Sequence, residues 1–225
     1  MFAAIFDLDG TLVDTADDLM LAGNNLYEEL EWDLRLDPNF DTGIAIGGGR
    51  SMIIYGLKSQ GIPVNKNVVD KLYPLLLKHY DKTIDKNSFI YPGIRGVLEE
   101  LKENSNWEIG LCTNKPEAQA QELLSRLGIR SFFKSFVGAD TVGVAKPSPI
   151  PLIAAIKLLG ADQRRSVLIG DTETDRVTAS NANVKSLIVR YGHGKFVSDL
   201  DKLNPDALVD TPWQIVEVLN TLVSS

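Results

Sequence analysis

Residues 3–14 read AAIFDLDGTLVD and decide the fold. The run opens with four apolar residues, and two acidic side chains follow at Asp7 and Asp9. Such a short apolar run is typical of a strand in a parallel sheet that is covered by helices on both faces. Ligands of open α/β sheets bind beyond the carboxyl ends of the strands. Asp7 and Asp9 therefore suit a divalent cation and acid–base chemistry; the alternative is that they only begin a turn or a calcium-type loop.

Further apolar runs continue the pattern of the first strand. They predict strands at residues 107–112, 133–137, 166–169 and 186–189. Apolar residues at helical spacing separate these runs and predict helices at 96–102, 116–127, 149–159 and 212–222. Alternating strands and helices favour an α/β fold built on a doubly wound, Rossmann-like parallel sheet.

Residues 15–88 interrupt this alternation directly after the first strand. The segment is mostly helical in pattern, with helices predicted at 15–30, after Gly49 and after Asn65. Pro74 is expected to kink or split the last of these. We interpret the segment as an inserted helical cap domain, so the α/β core is predicted to comprise residues 1–14 and 89–225.

Composition narrows the possible classes of protein. The 225 residues are 44% hydrophobic and 24% charged, with a net charge of −7. The sequence contains no stripe of lysines and arginines, which proteins that bind nucleic acid usually carry. No apolar run has the length of a membrane helix, and the N-terminus does not resemble a secretory signal. The single cysteine, Cys112, excludes an intramolecular disulfide. We expect a cytoplasmic monomer or homodimer that binds a small molecule.

Three more polar segments follow predicted strands. Thr113 and Asn114 open a helix, where a hydroxyl and free amides can bind an anion, although either residue could simply cap the helix. Lys146 lies in a proline-rich loop, where it could fix a charge over the site or be exposed to solvent. Asp171 and Asp175 follow the strand at 166–169 and suit a metal ion, unless they only begin a helix.

These four segments, in this order, resemble the four motifs of the haloacid-dehalogenase-like superfamily. The resemblance covers residues 1–14 and extends from about residue 92 to the C-terminus, and the most specific motif is DLDGT at residues 7–11. The helical insertion resembles the first cap type of that superfamily. The closest subgroup is that of the phosphoglycolate phosphatase-like proteins, and residues 191–194 and 205–210 support this assignment.

The resemblance implies a magnesium-dependent phosphatase. Asp7 would be the nucleophile that forms an aspartyl-phosphate, and Asp9 would act as general acid and base. Mg²⁺ would be held by Asp7, the backbone carbonyl of Asp9, Asp171 and Asp175, the last directly or through water.

The resemblance also implies which residues hold the substrate. Thr113, Lys146 and the backbone amides of Leu8 and Asp9 would bind the phosphoryl oxygens, with Asn114 as a further substrate-binding residue. The substrate would be a small phosphorylated metabolite.

The cap would close over the substrate and supply specificity. The glycine loop at residues 46–50 is the candidate, with Arg50 pairing with a substrate carboxylate; the alternative is a flexible turn before an exposed arginine. Residues 41–43 offer no basic residue where many relatives carry one, which speaks against phosphoglycolate itself.

Other assignments remain open at the level of sequence. A β-phosphoglucomutase-like phosphotransferase would share every core motif. A receiver-like signalling module, whose aspartyl-phosphate is stable, would also combine acids, a threonine and a lysine at strand ends, but it lacks a large insertion after its first strand. Cys112 and Trp213 are expected to be packing residues, His79 to lie on a helix surface, and His193 to be structural.

Overall fold

The computed structural model describes residues 1–196 and 199–224, and for residues 195 and 196 the backbone alone. The chain divides into two compact units. The core unit comprises Met1–Asp14 and Ile90–Ser225, and the inserted unit comprises Thr15–Phe89. The second boundary lies one residue beyond the position expected from the sequence. Among the described residues, no helix is both long and apolar enough to cross a membrane.

The helices and strands follow one another in a regular order. They are β1 (Phe2–Phe6), β2 (Val13–Asp14), α1 (Ala16–Glu29), α2 (Thr42–Ile46), α3 (Gly48–Ser59), α4 (Lys66–Asp81), β3 (Phe89–Ile90), α5 (Ile94–Glu103), β4 (Trp107–Cys112), α6 (Glu117–Arg126), β5 (Ser135–Val137), α7 (Pro149–Leu158), β6 (Ser166–Gly170), α8 (Glu173–Asn181), β7 (Lys185–Val189), β8 (Ala207–Val209) and α9 (Ile215–Ser224).

The core unit is built on a six-stranded sheet in the order β5-β4-β1-β6-β7-β8. Each pair of neighbouring strands is parallel. The chain therefore builds outward from β1 in one direction and then returns to build in the other. This order confirms the doubly wound fold, and it places the crevice of the sheet at the carboxyl ends of β1 and β6.

The first strand is apolar throughout because both of its faces are covered. Ala3 and Ile5 belong to a buried cluster with residues of α7 and α8, including Leu152. Successive side chains of a strand point to opposite faces, so Ala4 and Phe6 face the other side. There the rings of Phe6 and Phe133 meet edge to face, with centroids 6.5 Å apart. This packing fixes the end of β1 and therefore the position of Asp7.

Some elements of the core unit escaped prediction, among them β8 and α8, and one strand is shorter than predicted. Strand β8 has three residues at the edge of the sheet, too few to give a periodic pattern. Helix α8 lacks the leucine stripe that marks its neighbours, because most of its residues are polar. The predicted strand at 133–137 covers only Ser135–Val137, and a 3₁₀ turn at Arg130–Phe132 precedes it.

The inserted unit is helical, as the sequence predicts, but its details differ. Pro74 does not split α4, which runs continuously from Lys66 to Asp81. The predicted glycine loop is not a loop, because only Gly47 separates α2 from α3. Gly48 has a φ of 78°, which suits glycine, and Arg50 lies in the first turn of α3.

Two aromatic side chains also differ from expectation. His79 is half-buried and not freely exposed on its helix, since its side chain is 12% exposed and its Nε2 lies 2.7 Å from Oε2 of Glu29. Trp213 is 69% exposed and is therefore not a core residue. Its ring instead lies over Gly93, where a Cβ atom would come within 2.9 Å of it.

Asp18 is a fully buried carboxylate that ties the two ends of the inserted unit together. It accepts hydrogen bonds from the backbone and side chain of Asn87, with donor distances of 2.9 to 3.0 Å. It also accepts from the backbone and hydroxyl of Ser88, at 2.8 and 2.7 Å. A buried charge that is fully hydrogen-bonded stabilises the structure only while every partner is kept.

Asp18→Asn is expected to lower the free energy of unfolding by about 2 kcal/mol, because hydrogen bonds to a charged group are lost and an amide donor faces other donors. Urea unfolding measures the change. Asp17→Asn removes the same charge from an exposed neighbour and is the control. Equal stability of the two variants would show that the hydrogen bonds to Asp18 contribute nothing.

Candidate active site

Three acidic side chains from two segments of the core unit converge at the carboxyl ends of β1 and β6. Asp7 follows β1 and Asp171 follows β6, and these strands pair in register with Phe6 opposite Ile169. Asp175 comes from the first turn of α8. One carboxylate oxygen of each of the three acids lies within 4.8 Å of the others. These three acids form one cluster, called the carboxylate cluster below.

Asp171 is held by hydrogen bonds from two other loops. Its Oδ1 accepts from the hydroxyl of Thr11 at 3.2 Å, and its Oδ2 accepts from the amide of Gly194 at 2.9 Å. Gly10 has a φ of 84°, and a Cβ atom there would come within 2.3 Å of Oδ2 of Asp171. The glycine after Asp9 is therefore required both by its backbone conformation and by the space that Asp171 occupies.

Asp175 is positioned by the start of α8. Its Oδ2 accepts hydrogen bonds from the amide of Thr172 at 3.1 Å and from its hydroxyl at 2.6 Å, as in a capping box. A Cβ atom at Gly170 would lie 2.2 Å from Cγ of Asp175, so the strand can end beside this carboxylate only because residue 170 is glycine. Asp175 thus both caps α8 and presents its second oxygen to the cluster.

Lys146 supplies the positive charge of the cluster. Its Nζ lies 2.8 Å from Oδ1 of Asp7 and 2.6 Å from Oδ1 of Asp175, and its side chain is 2% exposed. Asn114 fixes the backbone of Lys146, accepting from its amide at 2.9 Å and donating to its carbonyl at 3.1 Å. The side chain of Asn114, predicted to bind substrate, is therefore engaged in holding the lysine loop.

The electrostatics of the cluster favour a bound cation. Burial raises the pKa of Asp7 to about 6, against the lowering effect of Lys146, and Asp175 raises it further. Burial, Asp175 and Asp7 also raise the pKa of Asp171 well above its usual value. Burial alone would lower the pKa of Lys146, but Asp175 and Asp7 together raise it.

The residues present fit a divalent metal ion. Three carboxylates share one ammonium group, so negative charge is in excess in a buried site, where an uncompensated charge is costly. Carboxylate and carbonyl oxygens are hard ligands, which suit Mg²⁺.

Asp9 points its carboxylate at a second buried lysine. Oδ1 of Asp9 lies 2.7 Å from Nζ of Lys115, a side chain that is only 4% exposed. The carboxylate of Asp9 is not one of the three in the carboxylate cluster. Sequence reasoning did not select Lys115, although its place just after Thr113 at a strand end was a usable signal.

The remaining predicted phosphate ligands lie in tight turns of the core unit. The carbonyl of Leu8 accepts hydrogen bonds from the amides of Thr11, Leu12 and Val13, which folds the chain sharply after Asp7. Thr113 is buried, and its hydroxyl accepts from the amide of Lys115 at 3.2 Å. That hydroxyl keeps its own proton for a further hydrogen bond.

The segment after β7 contacts the turn that follows β1. The hydroxyl of Tyr191 donates to the carbonyl of Thr11 at 3.0 Å, and Nε2 of His193 lies 2.8 Å from Oδ1 of Asp14. Gly192 allows close approach, since a Cβ atom there would lie 2.1 Å from the carbonyl oxygen of Gly10. These contacts give Tyr191 and His193 a supporting role around the turn that follows β1.

Residues 4–189 match the family model described as haloacid dehalogenase-like hydrolase, and the chain belongs to this family. Curated relatives are phosphoglycolate phosphatases. The protein from Mesorhizobium japonicum is 34% identical over 84% of this chain and 82% of its own length. The protein from Colwellia psychrerythraea is 32% identical over 92% of each.

Solved structures share the fold. A predicted phosphoglycolate phosphatase from Haemophilus somnus superimposes with a TM-score of 0.85, covering 97% of both chains at 23% sequence identity.

Proposed function

We propose that the protein is a Mg²⁺-dependent phosphatase that hydrolyses a small phosphomonoester through an aspartyl-phosphate on Asp7. The observation that carries the proposal is the carboxylate cluster around Asp7, with Lys146 in contact with two of its members. The curated relatives, which are named as phosphatases, support it.

In the first step an oxygen of Asp7 attacks phosphorus, and the bond from phosphorus to the leaving oxygen breaks. Covalent catalysis by a carboxylate divides a difficult hydrolysis into two displacements. Lys146 holds Asp7 in position and compensates negative charge on the phosphoryl oxygens. The hydroxyl of Thr113 donates to one of these oxygens.

Asp9 transfers the protons. It donates one to the leaving oxygen in the first step, and in the second it accepts one from the water that attacks the aspartyl-phosphate. Asp7 is then released together with inorganic phosphate.

Asp7, Asp171, Asp175 and the carbonyl of Asp9 would hold Mg²⁺. The bound ion would neutralise phosphoryl charge and keep Asp7 ionised at neutral pH. Arg50 remains a sequence-based candidate for a substrate contact from the inserted unit, where its guanidinium pairs with Asp70 at 2.6 Å.

Release of phosphate from a panel of phosphorylated metabolites, with Mg²⁺ or with EDTA, tests the proposal. The panel includes phosphoglycolate, hexose phosphates and nucleoside monophosphates. We expect turnover with Mg²⁺, a loss of at least about 100-fold with EDTA, and recovery on returning the metal. Transfer of phosphate to a sugar hydroxyl would indicate a phosphotransferase. An aspartyl-phosphate that persists for minutes would indicate a signalling module.

Mg²⁺ is also expected to raise the melting temperature of the protein, because it binds the folded state alone. The pKa of Asp7 rises on folding to about 6, so its ionisation destabilises the metal-free fold as the pH increases through that value. The shift caused by Mg²⁺ should therefore be larger at pH 7.5 than at pH 5. Asp171→Asn should lose most of the shift; an undiminished shift would place the metal elsewhere.

A further inference from the structure

A second buried ammonium group lies beside the proposed general acid. Nζ of Lys115 donates to Oδ1 of Asp9 at 2.7 Å, and the lysine side chain is 4% exposed while that of Asp9 is 28% exposed. A lysine that loses most of its contact with water needs an anion close by, because an uncompensated buried charge is costly. The pair therefore ties the end of the Lys115 side chain to one particular oxygen of Asp9.

The backbone that carries Lys115 is held by the ends of two strands. The amide of Thr113, just after β4, donates to the carbonyl of Val137 at the end of β5 at 2.9 Å. The carbonyl of Lys115 accepts from the amide of Ala139 at 3.1 Å. Gly138 allows this approach, because a Cβ atom there would lie 2.8 Å from that carbonyl oxygen. The side chain of Lys115 thus extends from a backbone position that the sheet determines.

The backbone around Asp9 is also fixed, but its carboxylate is not enclosed. The carbonyl of Leu8 accepts from three amides of the turn, and the amide of Gly10 donates to the carbonyl of Val13 at 2.9 Å. A carboxylate on such a backbone can still turn about the bonds of its side chain. The side chain of Asp9 is 28% exposed, so packing alone leaves room for that rotation. The hydrogen bond from Lys115 selects one orientation.

The proposed role of Asp9 depends on that orientation. A general acid must lie within hydrogen-bond reach of the atom that it protonates, and a displacement of about 1 Å in an active site can cost about 100-fold in rate. Lys115 can hold Asp9 in both of its protonation states, because a carboxyl group with its proton on Oδ2 still accepts a hydrogen bond at Oδ1. The same contact therefore serves both proton transfers.

We propose that Lys115 is a positioning residue for proton transfer. Its ammonium group holds Oδ1 of Asp9, so that Oδ2 gives its proton to the leaving oxygen as the bond to phosphorus breaks, and later takes a proton from the attacking water. This inference rests on the proposed function. Lys146 contacts Asp7 and Asp175, so the two lysines hold different groups: one holds the nucleophile and the other the acid.

Two phosphomonoesters of similar size separate proton transfer from other roles of Lys115. The leaving oxygen of benzyl phosphate needs a proton, whereas 4-nitrophenolate leaves readily without one. Lys115→Met should lower kcat/KM, which reports the first displacement, by about 10- to 100-fold for benzyl phosphate and by less than about 3-fold for 4-nitrophenyl phosphate. An equal loss for both substrates, or no loss for either, would overturn the proposal.

The ratio of the two kcat/KM values does not depend on how much of a variant is folded, because both are measured on one preparation. Lys115→Gln, which also removes the charge but stays polar, should show the same fall in the ratio of benzyl to 4-nitrophenyl phosphate. Lys115→Arg keeps a donor for Asp9 and should restore part of it. The control is Lys134→Met, which removes an exposed lysine paired with Glu108 and should leave the ratio unchanged.

A double-mutant cycle with Asp9→Asn tests the pairing itself, on whichever member of the metabolite panel the wild-type protein hydrolyses fastest. If Lys115 acts through Asp9, Lys115→Met should change kcat/KM by less than about 3-fold once the carboxylate is absent. The same loss with and without Asp9 would show that Lys115 acts independently and would overturn the inference. Failure of the wild-type protein to release phosphate from the panel and from both esters would instead refute the proposed function, and this inference with it.

Discussion

Asp7→Asn is expected to reduce the rate of phosphate release by about 10⁴-fold or more, the largest effect on activity of any single change. The amide of asparagine cannot attack phosphorus, so no aspartyl-phosphate forms. The rest of the site is retained, because asparagine has the shape of the aspartate it replaces and Lys146 keeps its contact with Asp175. Steady-state release of phosphate and acid-quenched mass spectrometry of the protein measure the two effects.

A loss of activity through misfolding would look different. Ionised Asp7 is costly in the metal-free fold, since burial raises its pKa to about 6. Asp7→Asn should therefore be at least as stable as the wild-type protein at pH 7.5 in EDTA. A melting temperature several degrees lower would point to misfolding as the cause of the lost activity.

Asp9→Asn provides the comparison within the same motif. It keeps the nucleophile but removes the acid, so its defect should be smaller on aryl phosphates, whose leaving groups need little protonation. The defect of Asp7→Asn should be the same on alkyl and aryl phosphates. Normal turnover in Asp7→Asn would exclude this residue as nucleophile.

The sequence predicted most of the fold because the core strands are unambiguous. Runs such as residues 3–6 and 166–169 are buried on both faces, so their composition alone identifies them. An acid follows each of these two runs, and the parallel register of β1 and β6 brings Asp7 and Asp171 together. Asp7 and Asp171 lie close together because each follows the carboxyl end of its strand and the two strands are neighbours in the sheet.

The sequence did not reveal which side chains pair with each other in the site. Asn114 looked like a substrate ligand, but the geometry of its amide suits the backbone of Lys146. Lys115 was not selected from the sequence, and only the folded chain shows that its Nζ lies beside Asp9. Such pairings join residues more than 30 positions apart, so no local pattern reports them.

The glycines show the same division between local and distant causes. Gly10 needs a positive φ, which a turn after an Asp-x-Asp motif makes predictable. Gly170 has no such local signature, and its need appears only because the carboxylate of Asp175 fills the space of a side chain. The residue types in such loops are thus determined partly by side chains from other parts of the chain that pack against them.

Lys146→Met is expected to lower the free energy of unfolding by about 3 to 5 kcal/mol at pH 7.5 in EDTA, because breaking a buried ion pair leaves charge uncompensated. Here three clustered carboxylates would lose their shared ammonium group, which lies 2.8 Å from Asp7 and 2.6 Å from Asp175. Activity should also fall, since phosphoryl oxygens lose a positive partner. Chemical denaturation measures the loss, with Lys157→Met, an exposed lysine of α7, as the control.

The cause of the instability can be separated from a simple loss of packing by changing the charge around the missing lysine. The carboxyl pKa values of Asp7 and Asp171 are already raised on folding. Because Lys146 lowers the pKa of Asp7, removing the ammonium would raise that pKa further. The folded variant would then gain a proton more easily, and the deficit should shrink as the pH falls from 7.5 to 5. Saturating Mg²⁺ should also reduce it, since the cation replaces part of the lost charge. If the loss in the free energy of unfolding changes with neither pH nor Mg²⁺, Lys146 stabilises the fold only through the packing of its methylene chain.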